Sequence, residues 1–331
     1  MLFENYRPHE VRRAYPAYVF DIFQQTLPLR FTPYICALKK RDSFLNEVYT
    51  NNVSSGDVLL AIRPYDRVTA YYMGCQFFTI KLINKHPDPH FYRAYLPVVR
   101  SDVLRERKNS ARVSSKKPVD KYPMTESDWQ KEIGNGLKLS RVLPEILDNL
   151  NKDSRPEGCQ VSYLYKYSPL VANNPSDIVL LDIEAEFSQS GTGKSDRVDV
   201  VLFHTLKKQL LFLEVKRLSD ARLQKNGNVQ LAVTRQLSRY QTIINDQADN
   251  IIEQYNHVID TYNVINASVR QTPHIGPAFE IKLGLLVVDY SRKDLGSLKV
   301  IKAQSAMQNA KTVAIGHAKN VTPKTLESWF A

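Results

Sequence analysis

Three residues near the middle of the chain have types and spacing suited to hydrolytic chemistry: Asp199, Glu214 and Lys216. Asp199 heads the run Val200-Val201-Leu202-Phe203, and Lys207-Lys208-Gln209 reads as a polar turn. Leu210-Leu211-Phe212-Leu213 then leads into Glu214-Val215-Lys216. Both runs are short and rich in apolar, β-branched and aromatic residues, the composition of strands. Strand side chains alternate between faces, so Asp199, Val201 and Phe203 share one face, and Glu214 and Lys216 share one face of the next strand. If the strands pair, two carboxylates and an ammonium converge at one end of a hairpin. Two carboxylates suit a hard divalent cation, because Mg²⁺ takes oxygen ligands and keeps several waters. Held close, they also raise the pKa of at least one of the pair. A lysine beside them can hold or deprotonate an acidified water. In outline this is a site for cleaving phosphodiesters. Charges at the end of a buried apolar run are rarely placed there unless paired or bound to a metal.

The array resembles the PD-(D/E)XK nuclease superfamily, which has the restriction-endonuclease-like fold. Gln236 and Tyr240 extend the likeness, since RecB-like members carry Gln-x-x-x-Tyr on the helix after the Glu-x-Lys strand. Spacing of i,i+4 sets both on one helix face. Val198 stands where the family has a proline before its first aspartate. The resemblance covers roughly residues 125 to 290. It implies that Asp199 and Glu214 bind Mg²⁺, with Mn²⁺ as a substitute and the Val215 carbonyl as a further ligand. Lys216 would then orient or deprotonate the attacking water, and Gln236 and Tyr240 would position the scissile strand or the lysine. A helix before the sheet often supplies another carboxylate in such nucleases; Glu132 is the candidate and Glu126 its rival. The implied activity is metal-dependent phosphodiester hydrolysis in nucleic acid, DNA first, in restriction, phage defence or repair, as a homodimer or within a larger complex. The alternative is a catalytically silent nuclease-fold module that binds nucleic acid or a protein partner.

The elements expected to position these residues form an α/β core, a central mixed sheet flanked by helices, preceded by a smaller strand-rich α+β domain. Residues 1–100 make up the N-terminal domain, a candidate for target recognition, with a helix around Tyr15 to Gln25. Its strands are expected at Tyr34 to Leu38, Asp57 to Ile62, Ala70 to Leu82 and Phe91 to Val99. Turns fall at Ser54-Ser55-Gly56 and His86-Pro87-Asp88-Pro89. Residues 101–124 read as a basic linker in which Arg105, Arg107, Lys108, Arg112, Lys116 and Lys117 could follow a phosphate backbone. Arg235 and Arg239, beside Gln236 and Tyr240, are further candidates for nucleic-acid contact. Residues 125–331 form the nuclease-like domain. It opens with helices at Thr125 and Pro144, followed by strands at Gln160 to Tyr167 and Ile178 to Phe187. A long helix from about Val229 towards Ala267 presents Val233, Leu237, Tyr240 and Ile244 as its apolar stripe. A strand at Lys282 to Asp289 and a short helix opened by Thr322-Pro323 close the chain.

Gly191-Thr192-Gly193-Lys194-Ser195 looks like the tail of a phosphate-binding P-loop, and Leu285 to Asp289 like its Walker B strand, which would make the chain an NTPase. A P-loop must run into a helix. Asp196 to Phe203 is strand-like instead, so a hairpin loop accounts for the segment better.

Composition fits this frame. The 331 residues carry a net charge of +11, 43% hydrophobic and 24% charged residues, enough apolar content for a substantial core and a bias toward an anionic partner. No apolar run reaches membrane-spanning length. Cys36, Cys75 and Cys159 are odd in number and lack a Cys-x-x-Cys pair, which reads as reduced thiols in a cytoplasmic protein.

Overall fold

The computed structural model describes residues 48–63, 67–83, 86–91, 156–171, 173–174, 176–188, 195–223, 231–266, 271–276, 278–306 and 309–331. They fall into two compact units, one within Arg30–Lys166 and the other containing Tyr167–Ala331. The chain is of mixed α/β type, with one antiparallel and one mixed sheet. The segments around Tyr15, Tyr34, Thr125 and Pro144 and the basic stretch 101–124 lie outside the described residues.

In the first unit, a π-helical turn (Tyr49–Val53) precedes four antiparallel strands in the order β1-β2-β3-β4: β1 (Val58–Arg63), β2 (Arg67–Tyr72), β3 (Cys75–Ile83) and β4 (His86–Phe91). Three expectations fail here. Ala70 to Leu82 is not one strand: the chain reverses at Met73 and Gly74, whose φ angles are +50° and +76°. Positive φ at both central residues is the twist that a two-residue hairpin requires. A Cβ on Gly74 would lie 2.2 Å from the Gly158 Cα, so only glycine fits this turn. The stretch from His86 to Pro89, read as a turn, opens β4. This edge strand pairs Pro87 with Leu82 and Pro89 with Ile80. Prolines two apart turn their missing N–H groups to the same, outer edge, where the ladder needs no donor. Gln160 to Tyr167, expected as a strand, forms the end of helix α1 (Pro156–Ser162) and a 3-10 turn (Tyr165–Tyr167). Pro156, at the first helical position, starts that helix with φ already set.

The second unit is built on a five-stranded sheet, β5 (Ile178–Ser188), β6 (Ser195–His204), β7 (Gln209–Arg217), β8 (Glu280–Val288) and β9 (Ala310–Ala314), paired in chain order. The β5–β6 and β6–β7 pairs are antiparallel, and the β7–β8 and β8–β9 pairs parallel. The continuous apolar runs of β7 and β8 suit strands covered on both faces. Gly284 of β8 allows the close packing: a Cβ there would meet Leu213 Cδ2 at 2.6 Å. The crossover from β7 to β8 is α2 (Ala232–Ile265), bent where Gln247 leaves helical geometry. Its expected stripe is buried, with Val233, Leu237, Tyr240 and Ile244 in the core shared with Phe187, Val201, Phe203 and Phe212. The rings of Phe187, Phe212 and Tyr255 pack in tilted contact within this core, with centroids 5.3 and 6.1 Å apart. Helix α3 (Leu295–Ala306) joins β8 to β9. The chain closes with α4 (Pro323–Trp329), whose N-cap Thr322 accepts from the Thr325 N–H. No helix among the described residues is long and apolar enough to cross a membrane. Ser188 of β5 pairs with Ser195 of β6, so the glycine-rich segment joins two antiparallel strands and no helix follows it.

Candidate active site

The β6–β7 ladder runs from His204 opposite Gln209 to Val200 opposite Leu213, and ends there. Beyond that point β6 continues beside β5 as far as Ser195, while β7 continues beside β8 as far as Arg217. Asp199 and Glu214 stand one residue past the last rung, in the fork. The Val215 N–H, which the ladder no longer serves, donates to the Asp199 carboxylate at 2.7 Å. Asp199 thus satisfies a buried donor and directs its carboxylate toward β7.

Lys216 is buried, and its Nζ lies against three oxygens. It donates to Glu214 Oε1 and, at 2.8 Å, to the Val215 carbonyl, and stands 3.6 Å from Asp199 Oδ2. Glu214 is equally buried, and its Oε2 accepts from the Tyr240 hydroxyl at 2.8 Å. Burial, then the nearby charge of Asp199, pushes the Glu214 carboxyl up to about 7, against the opposing pull of Lys216 and Tyr240. The proximity argument anticipated the direction; burial is the larger cause. Burial and the Glu214 charge together drive the Tyr240 hydroxyl upward, so it stays protonated and acts as a donor.

Tyr240 is held from several sides. Gln236 Nε2 donates to its oxygen at 2.5 Å, and the hydroxyl also faces the Arg197 carbonyl on β6. One proton serves two acceptors. When Glu214 is protonated, its own proton can go to the phenolic oxygen and the hydroxyl is released to Arg197. Helix α2 therefore presents Gln236 and Tyr240 on one face, and Tyr240 is both core and site: its ring packs in the sheet core while its hydroxyl reaches Glu214.

Asp199, Glu214, Val215, Lys216, Gln236 and Tyr240 are thus brought together. Glu126, Glu132, Arg105, Arg107, Lys108, Arg112, Lys116 and Lys117 lie outside the described residues. Arg235 is exposed on α2. Arg239 is clamped to Asp196 of β6, with donor–acceptor distances of 2.9 to 3.1 Å. That contact joins residues far apart in the chain, and no local pattern announces it. Two further pairs also escape sequence reasoning. Asp220 and Arg222 form a bidentate pair at 2.9 and 2.6 Å in the turn after β7, and Glu184 of β5 faces Arg197 at 3.4 Å. The only local signal for the first is Asp-x-Arg just after Glu-x-Lys. Glu184, between the Ile183–Val200 and Ala185–Val198 pairs, adopts φ +51°, a conformation that costs a non-glycine residue energy.

The donor set is one of hard oxygens. Two carboxylates and a backbone carbonyl gather on a single ammonium, chemistry that also suits Mg²⁺ or Mn²⁺. Among the described residues no group of three His, Cys, Asp or Glu side chains gathers to hold a metal; the oxygens at this centre are those of Asp199, Glu214 and the Val215 carbonyl. Comparison with known protein families, characterised proteins and solved structures finds no match to this chain. What the site can do follows from its geometry.

Proposed function

We propose that the chain is a metal-dependent nuclease of the restriction-endonuclease-like fold, with Asp199, Glu214 and Lys216 as its reaction centre. One observation carries the reading: a buried lysine lies against the three oxygens that the sequence nominates as cation ligands. The sheet order supports it, with three antiparallel strands followed by a parallel crossover through α2, as does the contact between Tyr240 and Glu214. Asp199, Glu214 and the Val215 carbonyl would hold Mg²⁺ or Mn²⁺. When bound, the cation supplies charge neutralisation at the phosphoryl oxygens and an acidified water. Lys216, in its amine form, would orient the attacking water and take its proton as the water oxygen bonds to phosphorus; the P–O bond to the leaving oxygen breaks and that oxygen is protonated from solvent. Tyr240, fixed by Gln236, keeps Glu214 turned toward the centre.

The closure of the Lys216–Glu214–Tyr240 network on itself favours a second reading, a nuclease-fold module that binds without cutting. Plasmid, linear and single-stranded DNA incubated with Mg²⁺ or Mn²⁺, against an EDTA control, separate the two. Metal-dependent cleavage is expected, and Lys216→Gln should reduce it by at least about a hundredfold, the scale of a lost general base, while DNA is still bound. Binding with no cleavage of any substrate would leave the silent module. Full activity in Lys216→Gln would remove the lysine from the chemistry.

A further inference from the structure

Resting on the reading above, we propose that Arg197, Arg222 and Arg239 form a collar around the carboxylate centre that grips the phosphates flanking the one to be cleaved. The substrate is then a polynucleotide strand, and an isolated phosphodiester is insufficient.

The three arginines come from three elements: β6, the turn after β7, and α2. Each side chain is about half-exposed, at 51%, 45% and 49%. Each is paired with a less exposed carboxylate: Glu184 at 33%, and Asp220 and Asp196 at 13% each. Their placement is tied to the centre. Arg197 precedes Asp199 by two positions on β6, and its carbonyl faces the Tyr240 hydroxyl. Arg239 adjoins Tyr240 and bonds Asp196, three positions before Asp199. Asp220, the partner of Arg222, follows Lys216 by four positions, in the turn where its N–H donates to the Arg217 carbonyl. The Glu214 charge contributes to raising the Arg239 guanidinium, behind the larger effect of Asp196.

Half-exposed ion pairs add little to stability, so stability alone does not account for three of them around one centre. What such pairs do is restrict rotamers. A guanidinium already held by a carboxylate has less freedom to lose when it meets a ligand. Arginine is always charged and presents a planar fork that matches phosphate oxygens. A lone phosphodiester offers two non-bridging oxygens and one negative charge, too few for three forks from separate elements. Successive phosphates of a strand supply the rest.

Labelled DNA and RNA oligonucleotides of two to twelve nucleotides, single-stranded and duplex, would be titrated by fluorescence anisotropy in EDTA at several salt concentrations. Wild type is expected to bind more tightly as length grows. Arg197→Gln, Arg222→Gln and Arg239→Gln should each weaken binding of the longer strands by about fivefold to tenfold, and lower the slope of log affinity against log salt by about one. The triple variant should lose the length dependence. Circular dichroism establishes folding. If a Gln variant unfolds, the Arg→Lys series, which keeps charge and loses the fork, should show a smaller loss in the same order. The polymer, DNA or RNA, whose binding depends on all three arginines is the substrate backbone. Wild-type affinity, salt slope and length dependence in the folded triple variant would overturn the collar. Collar-dependent binding by a wild type that cleaves nothing with Mg²⁺ or Mn²⁺ would support the collar and overturn the nuclease reading instead.

Discussion

Glu214 is the side chain on which the site's electrostatics turn. It is buried on β7, one oxygen on Lys216 and the other on Tyr240, with its carboxyl raised from 4.5 to about 7. A carboxyl raised on folding binds a proton that the unfolded chain has already released. Its contribution to stability is therefore present in full below pH about 4.5 and lost as pH rises through about 7. The whole effect is ~3 kcal/mol. Urea unfolding at pH 5 and pH 8 in EDTA should show wild type losing stability over that interval relative to Glu214→Gln, which has no such proton to lose. Parallel pH dependences in the two proteins would show that Glu214 titrates normally.

At the scale of elements, the site depends on how the first turn of α2 is seated. Leu231, at its N-cap, offers no side-chain acceptor, and its own N–H donates to Gln304 Oε1 of α3 at 2.8 Å. Thr234 Oγ1 donates back to the Leu231 carbonyl at 2.6 Å. Gln236 and Tyr240 follow within the next two turns, so α3 indirectly sets where they fall. Gln304→Ala removes the acceptor and is expected to cost about 1 kcal/mol, as loss of a helix cap does. Chemical denaturation would measure that loss, and amide exchange should quicken first around Leu231 to Arg235. Unchanged exchange there would mean that the sheet core alone seats the helix.

Across the whole molecule, a cation that binds the folded centre and not the unfolded chain must stabilise the fold, by about 2.7 kcal/mol at a hundredfold excess over Kd. Thermal unfolding should move upward with millimolar Mg²⁺ or Mn²⁺ in wild type and much less in Asp199→Ala or Glu214→Ala. Equal shifts in all three would place the cation elsewhere. The net charge of +11 adds a field that favours a polyanion but does not choose one.

Much of this site is legible locally. Alternation and a short turn are enough to put Asp199 near Glu214 and Lys216, because facing in a strand is set by parity. The step of α2 is enough to bury Tyr240 beside Gln236, because a helix repeats its face every three to four residues. Local patterns misread Met73-Gly74, where an approaching backbone at Gly158 makes the reversal fit, and the prolines of β4, which only an outer edge tolerates. They also miss the fork between β6 and β7, which exists because β5 and β8, partners from elsewhere in the chain, each draw one strand onward. The burial that raises Glu214 and the clamp from Arg239 to Asp196 belong to the same class. Periodicity is written in neighbouring residues, whereas burial and long-range ion pairs arise only when distant segments return to the same place, and that return was decided by the tertiary structure.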